Sequence, residues 1–471
     1  MRNSRLSQIL SAAFQTILPQ VLGVLLFYYI SKQVSKEVFG VFSWCNAVAY
    51  FLVVVASLGL EQVVFRRLAA GSGSVTWTAR FVVLQSFFTS IVLMGILGLV
   101  AFLFPHTYEA QLMPLFFAGQ ALLWMAVPPR LLLNVQKRYL GYGLSSLAGN
   151  ALKMGIVAVL SYNNHLNIYT IAIALLLGNV LEWGGATLLA RNLYHKREGV
   201  RRRAAKLLIR ESLPQYVAVL FDALLARIDW ILLGILLTNS AVAEYSFAYR
   251  AFEAERIPTV TVGAIMLPLA ARWLAGGKVP EVQIKERVQS LMLLIPAAAS
   301  CIAVAATALW PHAIGGVMKS EYGLASWVPF ALLNAALMMQ FAINLLWTQV
   351  FAGRQYAVII RITALTAFIN LGANFILIPL LGTPGAAVAF VAASGFQMAC
   401  YVRRAGILGF VFPHKKFIFT FFFSLLFLGG ILGLPMPALL QIMLGVLVYP
   451  LLLLATGILT PKQFRLALQN R

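Results

Sequence analysis

Apolar residues in this chain neither alternate nor recur on one helical face; they run in long, nearly unbroken blocks. Fourteen blocks stand out, at 9–31, 39–60, 79–104, 111–133, 143–162, 168–190, 213–237, 242–268, 288–311, 325–350, 357–380, 385–408, 417–434 and 438–459. Most are close to the ~20 residues an α-helix needs to cross a bilayer. The pattern predicts an all-α, polytopic membrane protein of about fourteen spans. Composition agrees: of 471 residues 61% are hydrophobic and 11% charged, more apolar surface than a soluble fold has use for. The first block runs to Ile30 as a full span, with no small-x-small cleavage site, and so reads as part of the protein and not a removable signal. Cys45, Cys301 and Cys400 fall inside apolar blocks and make neither a disulfide framework nor a metal-ligand spacing.

The formal net charge is +22. A nucleic-acid binder is one reading of such a chain, but the basic residues sort by loop instead. One set of loops holds Arg2 and Arg5, Arg66 and Arg67, Lys137 and Arg138, the cluster Lys196 to Lys206, Lys278, Lys285 and Arg287, Arg354, Arg403 and Arg404 with Lys415 and Lys416, and Lys462, Arg465 and Arg471. The alternate set holds Lys32, Lys36 and Lys319. By the positive-inside rule both termini are expected in the cytoplasm. The longest stretch between blocks, RNLYHKREGVRRRAAKLLIR (191–210), is strongly basic. It is either an amphipathic segment on an anionic membrane surface or an orientation signal alone.

The two halves are related. SKEVFGVFSWCNA (35–47) aligns without gaps on TNSAVAEYSFAYR (238–250), placing Ser43 on Ser246 and Phe42 on Tyr245; RRLAAG (66–71) echoes ARWLAGG (271–277). Parallel six-span halves are a transporter architecture. The expected organisation is an N-lobe over 1–195, a basic linker over 196–209, a C-lobe over 210–410, and spans thirteen and fourteen with a tail over 411–471.

Charges inside spans are costly and mark pathways or pairs. FDALLARIDWILLG (221–234) carries Asp222, Arg227 and Asp229. The two aspartates are seven apart and share a helical face, ~10 Å along the axis; Arg227 points elsewhere. Asp222 and Arg227 read equally as structural or gating ion pairs, with Arg250, Glu253, Glu255 and Arg256 of the next span as partners. Lys153, deep in NALKMGIVAVL, must face a cavity or pair with Glu182. Lys153, Arg250, Arg256 and Arg361 form a basic set in spans five, eight and eleven, and guanidinium groups bind phosphate bidentately. Arg66 and Arg67 could complete a phosphate clamp or serve only orientation. Asn370 and Asn374 are i,i+4 and share a face; with a carboxylate their oxygens suit a hard cation, or they hydrogen-bond between helices. Tyr245, Tyr249, Trp230 and Trp347 are candidates for stacking on sugars. The five His (106, 165, 195, 312, 414) lie at span ends with no Ser or Cys arrangement for nucleophilic catalysis. GSG (71–73) lacks the strand and lysine of a nucleotide fingerprint.

Three stretches carry a resemblance: EVFGVFSW…ASLGLEQVVFRRLA (37–69), RIDWILLGILLTNSAVAEYSFAYR (227–250) and AGRQYAVIIRITALTAFINLGANFILIPLLGTPGAAVAF (352–390). In order and spacing the chain resembles the polysaccharide flippases of the multidrug/oligosaccharidyl-lipid/polysaccharide superfamily, the Wzx type. YSFAYRAFEAERIPTVTVGAIMLP (245–268) is also similar to the eighth span of the lipid II flippases, though their second-span Pro-Asn motif is absent. The resemblance implies a substrate of undecaprenyl-diphosphate-linked glycan, no cofactor beyond a coupling Na+ or H+, and Asp229 with Asn370 and Asn374 as a sodium site. It implies Arg250 in the substrate cavity and a groove for the polyprenyl tail at spans thirteen and fourteen. Partners expected are the bilayer and the polysaccharide polymerase and chain-length machinery, with no nucleic acid. A multidrug exporter is weakened by a first span free of ionisable groups. A polymerase or ligase is weakened by short outer loops, the longest around His312 to Ala325.

Overall fold

The computed structural model describes residues 2–61, 63–64, 75–136, 138–194, 202–275, 282–317, 322–433, 437–461 and 463. Among them the chain is helical throughout and holds no strand. Helices occupy all fourteen apolar blocks. They are α1 (Arg2–Gln33), α2 (Lys36–Ser57), α3 (Val75–Leu103), α4 (Tyr108–Met125), α5 (Val127–Val135), α6 (Tyr139–Tyr162), α7 (Ile168–Ala190) and α8 (Arg202–Leu236), then α9 (Asn239–Glu255), α10 (Thr259–Ala275), α11 (Val282–Val317), α12 (Gly323–Ala352), α13 (Tyr356–Leu381), α14 (Thr383–Ile407), α15 (His414–Gly433), α16 (Ala438–Met443) and α17 (Tyr449–Ala455).

Ten helices among the described residues are long and apolar enough to cross a membrane, so this is a multi-pass membrane protein. Four of the fourteen expected spans, the first, seventh, eighth and fourteenth, fall outside that count, the last three for visible reasons. The seventh carries the three charges of FDALLARIDW. The eighth is not one helix: α9 stops at Glu255 and α10 starts at Thr259, because Pro258 offers no N–H to continue the ladder and biases Ile257 away from helix. The fourteenth consists of short pieces around a π-helical turn, Leu444–Val448.

The chain divides into two units, Met1–Ala243 and Glu244–Arg471. The seventh span therefore belongs with the first unit, although the basic linker precedes it in sequence. The part of that linker that is described, 202–210, is helical and continuous with the span. Backbone closeness explains the grouping. A Cβ on Gly40 of α2 would lie 1.8 Å from the Asn239 carbonyl oxygen, so only glycine lets the two segments meet. The Trp44 indole donates to the Ile231 carbonyl at 3.2 Å. After Ser57 the chain turns through left-handed Leu58 (φ 52°) and Gly59 (φ 63°), and the Tyr216 hydroxyl donates to the Val55 carbonyl at 2.7 Å.

Each unit has an aromatic core. In the first, Phe39 packs on Phe27 and Phe42, and Phe42 on Phe116. In the second, Trp310 stacks on Phe330, and Phe390 meets Tyr249 and Phe252. The repeat-related residues Phe42 and Ser43, and Tyr245 and Ser246, are buried in their own units. The last helices join the second unit along α11, where Leu428, Tyr449 and Leu453 cluster with Ala297 and Val304 and the Tyr449 hydroxyl donates to Ser300 Oγ at 3.0 Å. Outer faces are apolar: Phe87, Phe88, Ile91, Leu99 and Phe102 of α3 are exposed, as lipid contact requires.

Candidate functional site

In the first unit, two buried charges and one partly buried charge meet where α5, α6 and α7 converge. Glu182 on α7 is 3% exposed. Its Oε2 lies 3.7 Å from Lys153 Nζ on α6, and its Oε1 pairs with the Arg130 guanidinium on α5. Lys153 Nζ also donates to Asn150 Oδ1 at 3.2 Å. The lysine stem lies across Gly178 of α7, where any side chain would come within 2.3 Å of it. Of the two alternatives open for Lys153, the structure takes the pair with Glu182.

Arg130 was not singled out by the sequence reading. Its signal is the double proline before it, VPPRLLLNV: α4 ends at Met125, and α5 restarts with Pro128 and Pro129 in its first turn, where missing N–H groups do no harm. Arg130 follows this interruption by one turn and pairs with Glu182.

Arg130 also lines an open pocket of about 340 Å³ among residues of the first unit, with Tyr50, Ser57, Glu61, Gln120 and Trp124. Glu61 lies beyond the Leu58–Gly59 turn, past the end of the spanning helix Lys36–Ser57. Burial raises its carboxyl to about 7, and the Arg130 charge opposes that rise. Gln120 donates to Asn46 Oδ1 at 2.7 Å. The Arg227 guanidinium lies over the rings of Tyr50 (5.5 Å) and Trp230 (4.9 Å), a cation–π arrangement, and donates to the Ala226 carbonyl. Asp222 is on the exposed face of α8, whereas Asp229 is 1% exposed.

In the second unit Asn370 and Asn374 are fully buried on α13. Asn374 Nδ2 donates to the Asn370 carbonyl at 2.8 Å and to its Oδ1 at 3.2 Å. Thr363 and Thr366 continue this buried stripe, while Leu365, Phe368, Phe375 and Ile376 are exposed on the same helix. α13 is thus polar inward and apolar outward. Asp229 belongs to the first unit and the asparagine pair to the second.

At the broken eighth span, Arg250 pairs with Glu253 at 2.8 Å, and Arg256 lies over the Phe252 ring at 5.5 Å. Arg361 is exposed on α13. Arg66 and Arg67 lie outside the described residues. The aromatic candidates separate. Tyr245, Tyr249 and Trp230 are buried core residues, so they offer no open face to a sugar. Trp347, 37% exposed, stacks on Phe351.

A family model described as polysaccharide biosynthesis protein matches residues 6–268, more than half of the chain. The chain belongs to that family. Among curated proteins none matches it by sequence. Among solved structures, this polysaccharide biosynthesis protein is similar to the lipid II flippase MurJ in an inward closed conformation. The TM-score is 0.73 and the identity 15%, over 93% of this chain and 97% of that one. It is similar also to an inward-facing multidrug resistance MATE family transporter of the MOP superfamily (TM-score 0.63, 15% identity, 84% and 99% covered). A third is the MATE transporter VcmN of Vibrio cholerae in its bent form (0.52, 15%, 86% and 99%). The fold is that of the MurJ and MATE transporters.

Proposed function

We propose that this protein flips undecaprenyl-diphosphate-linked oligosaccharide repeat units from the inner to the outer leaflet of a bacterial cytoplasmic membrane, for surface polysaccharide synthesis. The observation that carries the reading is the conjunction of a polysaccharide biosynthesis family match with a fold shared with a lipid II flippase. The units exchange access to the two sides by alternating conformations. Arg250, Arg256 and Arg361, with Lys153, Arg66 and Arg67, attract the diphosphate. Lys153 is held with Arg130 on the buried Glu182, whereas the Arg250–Glu253 pair is partly exposed; the arginines of the eighth span are therefore the stronger phosphate ligands, and the Lys153 cluster braces the first unit. Asp229, Asn370 and Asn374 hold the coupling cation. Both termini are cytoplasmic, and the flipped units pass to a polymerase and its chain-length partner.

The apolar face of α15 supports the lipid side of the reading: Ile418, Phe419, Phe422, Phe423 and Leu426 lie along it, with Lys415 at one end. Such a face suits a polyprenyl tail, with the lysine at the phosphate level.

Proteoliposomes loaded with undecaprenyl-diphosphate oligosaccharide test the proposal. The protein should bring inner-leaflet glycan within reach of an added glycosidase, and Arg250→Ala should slow this at least tenfold. Equal rates with and without protein would end the reading. Export of cationic dyes by the same vesicles would favour a multidrug exporter.

A further inference from the structure

The open pocket of the first unit holds none of the phosphate or cation ligands assigned above. Its polar and aromatic walls come from three helices and a turn: Tyr50 on α2, Glu61 beyond the Leu58–Gly59 turn, Gln120 and Trp124 on α4, and Arg130 on α5. Its size, about 340 Å³, is at the lower end for small-molecule sites. Three of these side chains are held by neighbours outside the pocket. Arg130 is paired with the buried Glu182, which Lys153 also meets. Gln120 donates one amide hydrogen to Asn46 Oδ1 at 2.7 Å. The Tyr50 ring, 39% exposed, has the Arg227 guanidinium over it at 5.5 Å. A site braced in this way meets a ligand with little ordering left to do.

The lining selects among ligands. Glu61 and Arg130 bring an acid and a base to one pocket, so a diphosphate meets a carboxyl as well as a guanidinium, and a cation meets the reverse. A polyprenyl chain would cover both of them, and Gln120, while giving them nothing to bond. A hydroxyl fits, because it donates and accepts at once. Carboxyl oxygens accept, a guanidinium only donates, and the Gln120 carboxamide has a second hydrogen and an oxygen besides the hydrogen given to Asn46. Neighbouring hydroxyls on one ring can therefore give to Glu61 and take from Arg130, and another can do both at Gln120. Tyr50 adds an apolar ring for C–H groups, with a hydroxyl of its own at the edge. Donors, acceptors and an exposed aromatic ring around one small space suit a sugar.

We propose that this pocket is a sugar subsite, which binds a neutral, hydroxyl-rich ring of the repeat unit through Glu61, Gln120 and Arg130, with Tyr50 against the ring. Glu182 and Asn46 are positioning residues, acting through Arg130 and Gln120. The subsite deepens the flippase reading and rests on it for one thing, that the sugar arrives linked to lipid; binding of the sugar itself needs no flipping. The eighth-span arginines belong to the second unit, so sugar and diphosphate are read by different side chains. Cargo is then chosen by its glycan and not by its diphosphate alone.

Equilibrium dialysis against the full chain in lipid nanodiscs tests it. The probe is the water-soluble oligosaccharide released by mild acid from the lipid-linked glycan of cells that make the protein; it carries neither lipid nor phosphate. The wild type should retain it, and inorganic pyrophosphate should not displace it. Gln120→Ala should weaken retention roughly fivefold, the worth of one hydrogen bond. Tyr50→Leu, which keeps an apolar side chain, should weaken it too, both read on protein that unfolds at the wild-type temperature. Equal retention by the wild type and both variants would overturn the subsite, and so would no retention by the wild type. Retention by a protein that flips nothing in proteoliposomes would end the flippase reading and leave the subsite standing; flipping without retention would do the reverse.

Discussion

At the level of single residues, the buried charges of the first unit are the clearest case of sequence becoming chemistry. Lys153 stands out in NALKMGIVAVL because a lone ammonium in an apolar helix must find a partner, and it is held at 3.7 Å from Glu182. Its second companion, Arg130, could not be read in the same way: an arginine near the end of a span, past the interruption at Ala126, reads first as an orientation signal and calls for no partner. Removing the shared acid leaves two cations buried together. Glu182→Ala should cost about 3–5 kcal/mol, read as a lowered unfolding temperature in detergent, whereas Lys153→Met should cost less because Arg130 keeps its partner. Glu61 gives a pH signature. Burial raises its carboxyl from 4.5 to about 7, so the native state holds the proton more tightly than the unfolded chain. Its contribution to stability is then greatest at low pH, declines as pH rises from about 4.5 to about 7, and is level above that. Comparing melting temperatures of the wild type and Glu61→Gln should show that decline in the wild type alone; parallel curves would remove Glu61 from the account.

The segments that carry the family resemblance turn out to be where helices touch most closely. EVFG supplies Gly40 against the Asn239 backbone, and the SW that follows supplies Trp44, which bonds Ile231 and lies on Gly234. Gly40 and Trp44 of the first stretch thus pack on Asn239, Ile231 and Gly234 of the second. Gly385 of GTPGAAVAF plays the same part at the α13–α14 turn, where a Cβ would stand 2.1 Å from the Leu377 carbonyl oxygen. Gly40→Val and Gly385→Val should each abolish accumulation of folded protein in membranes, assayed by size-exclusion of a fluorescent fusion. Gly372, with open space around it, should accept alanine without loss. Helix placement was legible from runs of apolar residues alone, because in lipid the backbone has no other way to satisfy its hydrogen bonds. Breaks inside spans were not: Pro258 and the Pro128–Pro129 pair announce a disturbance, but helices in membranes often pass through proline, as α11 does at Pro296 and Pro311. Only packing decides between a kink and a stop.

For the molecule as a whole, an all-α transporter fold follows from the sequence, and the family match and the MurJ-like architecture agree with it. The point at which the chain divides was harder to read. A basic linker is conspicuous in sequence, but the division into units follows contacts, and those place the seventh span with the first unit. Coupling to an ion gradient is a claim at this scale too. If Asp229 helps to hold the coupling cation, Asp229→Asn should abolish any sodium dependence of flipping in a series of sodium concentrations at constant pH. The account as a whole stands on where lipid-linked glycan collects in cells that lack this protein. It predicts that undecaprenyl-diphosphate oligosaccharide accumulates on the inner face, protected from a glycosidase added to spheroplasts. Single repeat units exposed on the outer face and left unpolymerised would contradict it, and would point to an enzyme of assembly in place of a flippase.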